Sequence, residues 1–161
     1  MKIQFRLNGK EVQKEIGADM LLIDLLRDLG CLSVKRGCET ANCGLCTVWM
    51  DKKPILSCST LAARANGRHI RTLEGLQAQA EEFGRFLAAE GGEQCGFCSP
   101  GFIMNVLAME RELKDPTVEE IKEYLSGNLC RCSGYMSQLR AVEKYLNYKK
   151  GQRESREGGE G

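Results

Sequence analysis

Nine cysteines in a chain of 161 residues constrain this protein more than any other feature of its sequence. Such a density has to be explained by disulfides or by metal, and the compartment decides between them. The opening stretch MKIQFRLNGKEVQKEIG has no apolar core, no twin arginine and no cleavage-like site, and no later window approaches the length of a membrane span. The reading is therefore a cytoplasmic chain with no membrane association, in which thiols stay reduced and clustered cysteines are metal ligands.

Eight of the nine fall into two sets. Cys38, Cys43 and Cys46 lie in GCETANCGLC with the spacing C-x4-C-x2-C, and Cys58 follows in PILSC. That is the plant-type spacing for a [2Fe–2S] cluster, with three ligands from one loop and a fourth from elsewhere. Cys95 and Cys98 in QCGFCSPG form C-x2-C, and Cys130 and Cys132 in NLCRCSGY form C-x-C. By itself this second pattern suits zinc as well as iron; beside the first set it reads as a second cluster. Cys31 is left over and is read as a packing residue. His69 is the only histidine, which excludes a Rieske centre and leaves no base for a catalytic cysteine. There is no GxGxxG, no Walker loop and no nucleophile elbow.

The pattern along the chain is α+β in two parts. KIQFRL and KEVQKEI alternate around Asn8-Gly9, a hairpin signal. ADMLLIDLLRDLG reads as a short helix with apolar positions at Met20, Ile23, Leu25, Leu26 and Leu29, stopped by Gly30. TVWM and PILSC form a second hairpin around DKK, which carries Cys58 back to the end of the sheet where the cysteine loop lies, and HIRTL adds a strand. From about residue 75 the character becomes helical: a helix over 77–90, a second capped by Ser99 with Pro100 at its first position, a third with a Thr117/Glu120 capping box, and a fourth in SQLRAVEKYLNY. The expected division is a sheet-dominated domain over 1–74, a four-helix domain over 75–150 and a disordered polar tail over 151–161. Helix N-termini beside Cys98 and Cys132 are expected to supply partial positive charge and free N–H donors to an anionic centre.

The formal charge of +1, with basic and acidic residues interspersed, gives no electrostatic case for nucleic acid. Two bound clusters at about −2 each would shift the charge to roughly −3. Lys35, Arg36 and Arg131 are read chiefly as solvated charges that partly balance them.

In their order, SVKRGCETANCGLCTV, PILSC, TLEG, QCGFCSPG and SGNLCRCSGY resemble the small iron–sulfur subunit of the molybdenum hydroxylases, the xanthine dehydrogenase and aldehyde oxidase family, over residues 1 to about 150. The resemblance implies a plant-ferredoxin-like (β-grasp) domain followed by a four-helix-bundle domain, each with one [2Fe–2S] cluster. It implies partners: a large subunit with a molybdopterin cofactor and a medium subunit with FAD. It places the cluster of Cys95, Cys98, Cys130 and Cys132 next to the molybdopterin and that of Cys38, Cys43, Cys46 and Cys58 toward the flavin. Gln94 then matches a glutamine that hydrogen-bonds the pterin, and Cys132 the ligand nearest the pterin edge. Family members commonly show a GCGEGECGAC-type loop and an Asp-Gly turn, where this chain has GCETANCGLC and DKK; Ala41, Asn42 and Leu45 are expected to tune the outer surface. Xanthine-type substrates are the family's commonest cytoplasmic theme, with aldehyde, nicotinate and carbon monoxide as alternatives. A free-standing two-cluster ferredoxin and a zinc-stabilised interaction module are the competing readings.

Overall fold

The structure, a computed structural model, describes residues 1–157. The first half is built on a five-stranded sheet of order β2-β1-β5-β3-β4. β1 (Lys2–Leu7) and β2 (Lys10–Glu15) are antiparallel around Asn8 and Gly9, both at positive φ as a tight primed turn requires. β3 (Thr47–Met50) and β4 (Lys53–Leu56) form the second hairpin, and its turn residues Asp51 and Lys52 take the same left-handed conformation without glycine. The turn is held from outside, because Asp51 Oδ1 accepts the His69 N–H at 2.9 Å and Oδ2 accepts from Arg68 at 2.9 Å. β5 (His69–Arg71) sits centrally, parallel to β1 and antiparallel to β3. His69 is exposed at the start of this strand.

Alternation along β1 puts Ile3, Phe5 and Leu7 on one buried face, where α1 (Leu22–Asp28) covers them with Leu22, Ile23, Leu25 and Leu26. Gly30 at φ +86° ends α1, and the Cys31 N–H closes back on Leu26 O at 2.9 Å. Cys31 is buried in this core, as a packing residue should be.

The second half has four helices: α2 (Gln77–Ala89), α3 (Ser99–Glu112), α4 (Val118–Leu125) and α5 (Met136–Glu157). α3 is the central element, buried at Phe102, Ile103, Met104, Val106, Leu107, Ala108 and Met109. Phe83 and Phe86 of α2 meet Tyr145 of α5 edge-on, with ring centroids 5.1 and 5.6 Å apart. Thr117 and Glu120 make the expected capping box. Ser99 does not cap α3: it is the first helical residue, and its hydroxyl donates to Glu93 Oε1 at 3.1 Å.

The expected disordered tail begins too early. α5 continues unbroken from residue 151 to Glu157, and residues 158–161 lie outside the described residues. Lys149 and Lys150, just before the extension, pair with Glu82 at 2.9 Å and Asp115 at 3.3 Å, and within it Arg153 pairs with Glu110 of α3 at 3.7 Å. The polar composition of the segment is that of a solvated helix face.

The two hydrophobic cores are distinct, with one exception. Trp49, on β3, packs into the helical core and donates its indole N–H to Met104 O at 3.0 Å. The Arg111 guanidinium lies over its ring, 3.8 Å from the centroid. No described helix is long and apolar enough to cross a membrane.

Candidate iron–sulfur centres

The first cysteine set is assembled by a loop and a hairpin. Cys38 and Cys43 lie in the loop after α1, Cys46 immediately precedes β3, and Cys58 sits in the 3-10 turn Ser57–Ser59 that follows β4. Register does the delivering: Thr47 faces Leu56, so Cys46 and Ser57 are the next pair outward. Ser57 fixes that end by donating both its N–H and its hydroxyl to Cys46 O, at 3.3 and 2.7 Å.

Ala41 at φ +57° and Gly44 at φ +72° curl the loop so that its N–H groups turn inward. Those of Thr40, Asn42 and Cys43 point at the Cys38 sulfur and lower its pKa to about 6. Burial acts the other way on Cys58, pushed up to about 11, and on Cys43, also raised. The loop thus stabilises a thiolate at its rim, at Cys38, and buries the thiol of Cys43. Of the three residues expected to tune the outer surface, Ala41 and Asn42 are exposed. Leu45 is buried beneath the loop, because its backbone packs against the start of α3.

The second set forms where α3 and α5 begin. Cys95 and Cys132 approach with sulfurs 3.6 Å apart, and Cys98 and Cys130 form the other contacting pair. Burial pushes Cys98 up to about 11. Burial would also raise Cys130, but the Ser133 hydroxyl and N–H, at 3.2 and 3.3 Å from its sulfur, outweigh it and the net shift is downward. The donors found at these sulfurs come from the loops and from two side chains, Ser133 and Gln138, rather than from the N–H groups of the helix starts. Gln94 is exposed, and its amide N–H donates to Cys132 O at 3.1 Å.

All nine cysteines are free thiols. In both sets they meet two by two: Cys38 with Cys43, Cys46 with Cys58, Cys95 with Cys132, and Cys98 with Cys130. A tetrahedral zinc site instead gathers three or four donors around one point. Two pairs side by side fit a centre with two metal atoms, each taking two thiolates, as a four-cysteine [2Fe–2S] cluster does.

The two sets face each other. Cys38 and Cys43 from the first, and all four cysteines of the second, line one cleft of about 420 Å³ between the domains, where Arg131 also lies. The Leu129 N–H, next to Cys130, donates to Cys43 O at 2.9 Å. Beneath it, Gly44 and Gly101 bring the cysteine loop against α3 backbone to backbone: a β-carbon on residue 101 would lie 2.3 Å from Gly44 O. Lys35 reaches toward the exposed Phe97 ring at 6.0 Å, and Arg36 pairs with Asp24 rather than with a cysteine. Ser133, Leu129, Trp49, Gly44 and Gly101 all lie within the quoted stretches, but the spacing of the cysteines assigns none of them these contacts. Gly44 stands out in sequence as a small residue between Cys43 and Leu45, and Gly101 only as a small residue three positions after Cys98.

Comparison with known proteins agrees with this geometry. A family model described as "2Fe-2S iron-sulfur cluster binding domain" matches residues 5–72, and one described as "[2Fe-2S] binding domain" matches residues 72–143. The xanthine dehydrogenase iron-sulfur-binding subunit of Escherichia coli O157:H7 is 43% identical, over 87% of this chain and 91% of that protein. The nicotine 6-hydroxylase small subunit of Paenarthrobacter nicotinovorans is 42% identical, over 88% and 87%. Among solved structures, a chain of quinoline 2-oxidoreductase from Pseudomonas putida 86 superposes with a TM-score of 0.86 at 36% identity, covering 95% of this chain and 96% of that one.

Proposed function

Because this chain belongs to the small iron–sulfur subunits of the molybdenum hydroxylases, the xanthine dehydrogenase and aldehyde oxidase family, we propose that it is the electron-transfer subunit of a multi-subunit, cytoplasmic oxidoreductase. In this reading a large subunit holds molybdopterin, a medium subunit holds FAD, and this chain lies between them. The observation that carries it is the pairing of eight thiols into two four-cysteine sets that open on one cleft. When bound, the clusters supply reversible one-electron storage at two closely spaced points.

The chain's own residues do the rest. Cys38, Cys43, Cys46 and Cys58 hold the first centre, and Cys95, Cys98, Cys130 and Cys132 the second. The N–H groups of residues 40, 42 and 43 and the Ser133 hydroxyl stabilise negative charge on the sulfurs. Trp49, Arg111 and the Gly44–Gly101 contact fix the separation of the two sets. Gln94 and Cys132, exposed at the far edge, face the molybdopterin subunit, and the loop around Ala41 and Asn42 faces the flavin subunit.

Xanthine-type oxidation is the preferred substrate reading, supported by the 43% identity to a xanthine dehydrogenase subunit. The near-equal identity to a nicotine 6-hydroxylase subunit accords with substrate choice residing in the large chain. Isolation of the native complex through this subunit tests both levels. Co-elution with larger chains and turnover of purines is expected. Elution as an 18 kDa-class monomer contradicts the subunit role, and a complex inert to purines contradicts the substrate alone.

A further inference from the structure

Gln138 is the third residue of α5 and is 3% exposed. It belongs to the stripe Gln138, Ala141, Val142, Tyr145 and Leu146 by which the helix enters the core, and it is the only member with a polar amide. Its Nε2 donates to Cys98 Sγ at 3.9 Å, while its Oε1 is buried without a partner among the described residues. Burying an amide with its acceptor unsatisfied costs roughly 1–3 kcal/mol, and a neutral thiol is a weak acceptor that returns little of it. A metal-bound thiolate is different, since hydrogen bonds to an ionised acceptor are about twice as strong as neutral ones. It also selects the amide orientation, because the alternative turns the oxygen toward a negative sulfur.

We propose that Gln138 sets the potential of the second centre by donating its side-chain N–H to the Cys98 sulfur. This inference rests on Cys98 being a cluster ligand. Reduction of a centre held there would add one electron with no bond formed or broken, and part of the added negative charge would fall on the Cys98 sulfur. A fixed donor stabilises the reduced state more than the oxidised one, so Gln138 raises the midpoint potential. Cys46 and Cys58, in the other domain, lie outside its reach.

The test is an EPR-monitored redox titration of the intact native complex carrying Gln138→Leu, which keeps the bulk and removes the donor. The expected result is a reduction equilibrium constant about tenfold smaller for the second centre, about 59 mV lower for a one-electron couple, with the first centre unmoved. A second measurement uses the unaltered protein labelled with 15N in its glutamine side-chain amides. Pulsed EPR of the reduced second centre is expected to show a nitrogen coupling that Gln138→Leu removes where it assembles. Both centres present with neither a potential shift nor a nitrogen coupling overturns the role of Gln138 alone. A parent complex lacking a second [2Fe–2S] signal overturns the ligand assignment as well.

Discussion

Replacing Gly101 by alanine sets two well-understood effects against each other. Gly101 lies in the first turn of α3 and its φ is not in the left-handed region, so local propensity favours alanine by about 1 kcal/mol. Packing predicts the reverse. The added β-carbon would sit 2.3 Å from Gly44 O, 2.8 Å from Leu45 Cα and 3.0 Å from the Leu45 carbonyl carbon, where ordinary contact begins at 3.4 Å. All three atoms are backbone, so no rotamer change relieves them, and the cysteine loop must retreat by about 1 Å. Little room lies on the other side of Gly44, where even a β-carbon on residue 44 would come within 2.4 Å of Gly127 O and 2.7 Å of the Asn128 side-chain amide nitrogen. Overpacking costs typically 1–3 kcal/mol, and a partner made of backbone on both sides places this site at about 3; the net destabilisation is about 2 kcal/mol. For a chain of this size that lowers Tm by about 4–8 °C. Differential scanning calorimetry of the cluster-loaded protein at fixed scan rate reads the shift. A Gly101→Ala protein as stable as its parent, or more so, would show that the two domains are not welded backbone to backbone.

Trp49→Phe removes the indole donor to Met104 O and weakens the stacking of Arg111, so it should cost about 1–2 kcal/mol, measured as the same calorimetric shift. In the cluster-free protein Cys38 should be alkylated first at pH 7, because its pKa of about 6 leaves it mostly thiolate, and this advantage should fade as pH drops below 6. Cys58 and Cys98, at about 11, should react at least about a hundredfold more slowly in peptide-mapped time courses. Equal labelling of the three would refute the N–H cradle around Cys38. Cys130→Ala should abolish one of two [2Fe–2S] EPR signals and block flavin reduction in the complex while sparing the other signal; rapid flavin reduction would sink the proposed route.

The two four-cysteine groupings were legible because thiol spacing is a covalent property of the chain: C-x4-C-x2-C and the two later pairs read the same before and after folding. The hairpins were legible from Asn8-Gly9 and from alternation, even though DKK lacks the usual glycine, since Asp51 is held by the distant Arg68 and His69. Three features were not legible, each for a tertiary reason. Ser99 looks like a cap, but Cys98 already occupies the cap position with helical φ and ψ, and the hydroxyl goes to Glu93 instead. The segment after residue 150 looks like a tail, but its Arg153 pairs with Glu110 of α3, and Lys149 and Lys150 just before it pair with Glu82 and Asp115. Leu45 follows the exposed stretch 39–42 of the loop, yet the close approach of Gly101 draws it inside with its neighbours Cys43, Gly44 and Cys46. Gln138 had a signal that the motif search passed over: it occupies the first position of the i, i+3, i+4, i+7, i+8 stripe that buries α5, where a polar side chain calls for a reason.

The central claim is that two four-cysteine sets hold two [2Fe–2S] clusters in a molybdenum enzyme. Iron, sulfide, zinc and molybdenum should be quantified in the complex purified anaerobically from its native host, with an EPR spectrum of the same sample after dithionite reduction. Four irons and four sulfides per chain, the content of two clusters, are expected with two distinguishable signals and co-purifying molybdenum. Zinc in place of iron, with no EPR signal, would contradict the account from the cysteines upward.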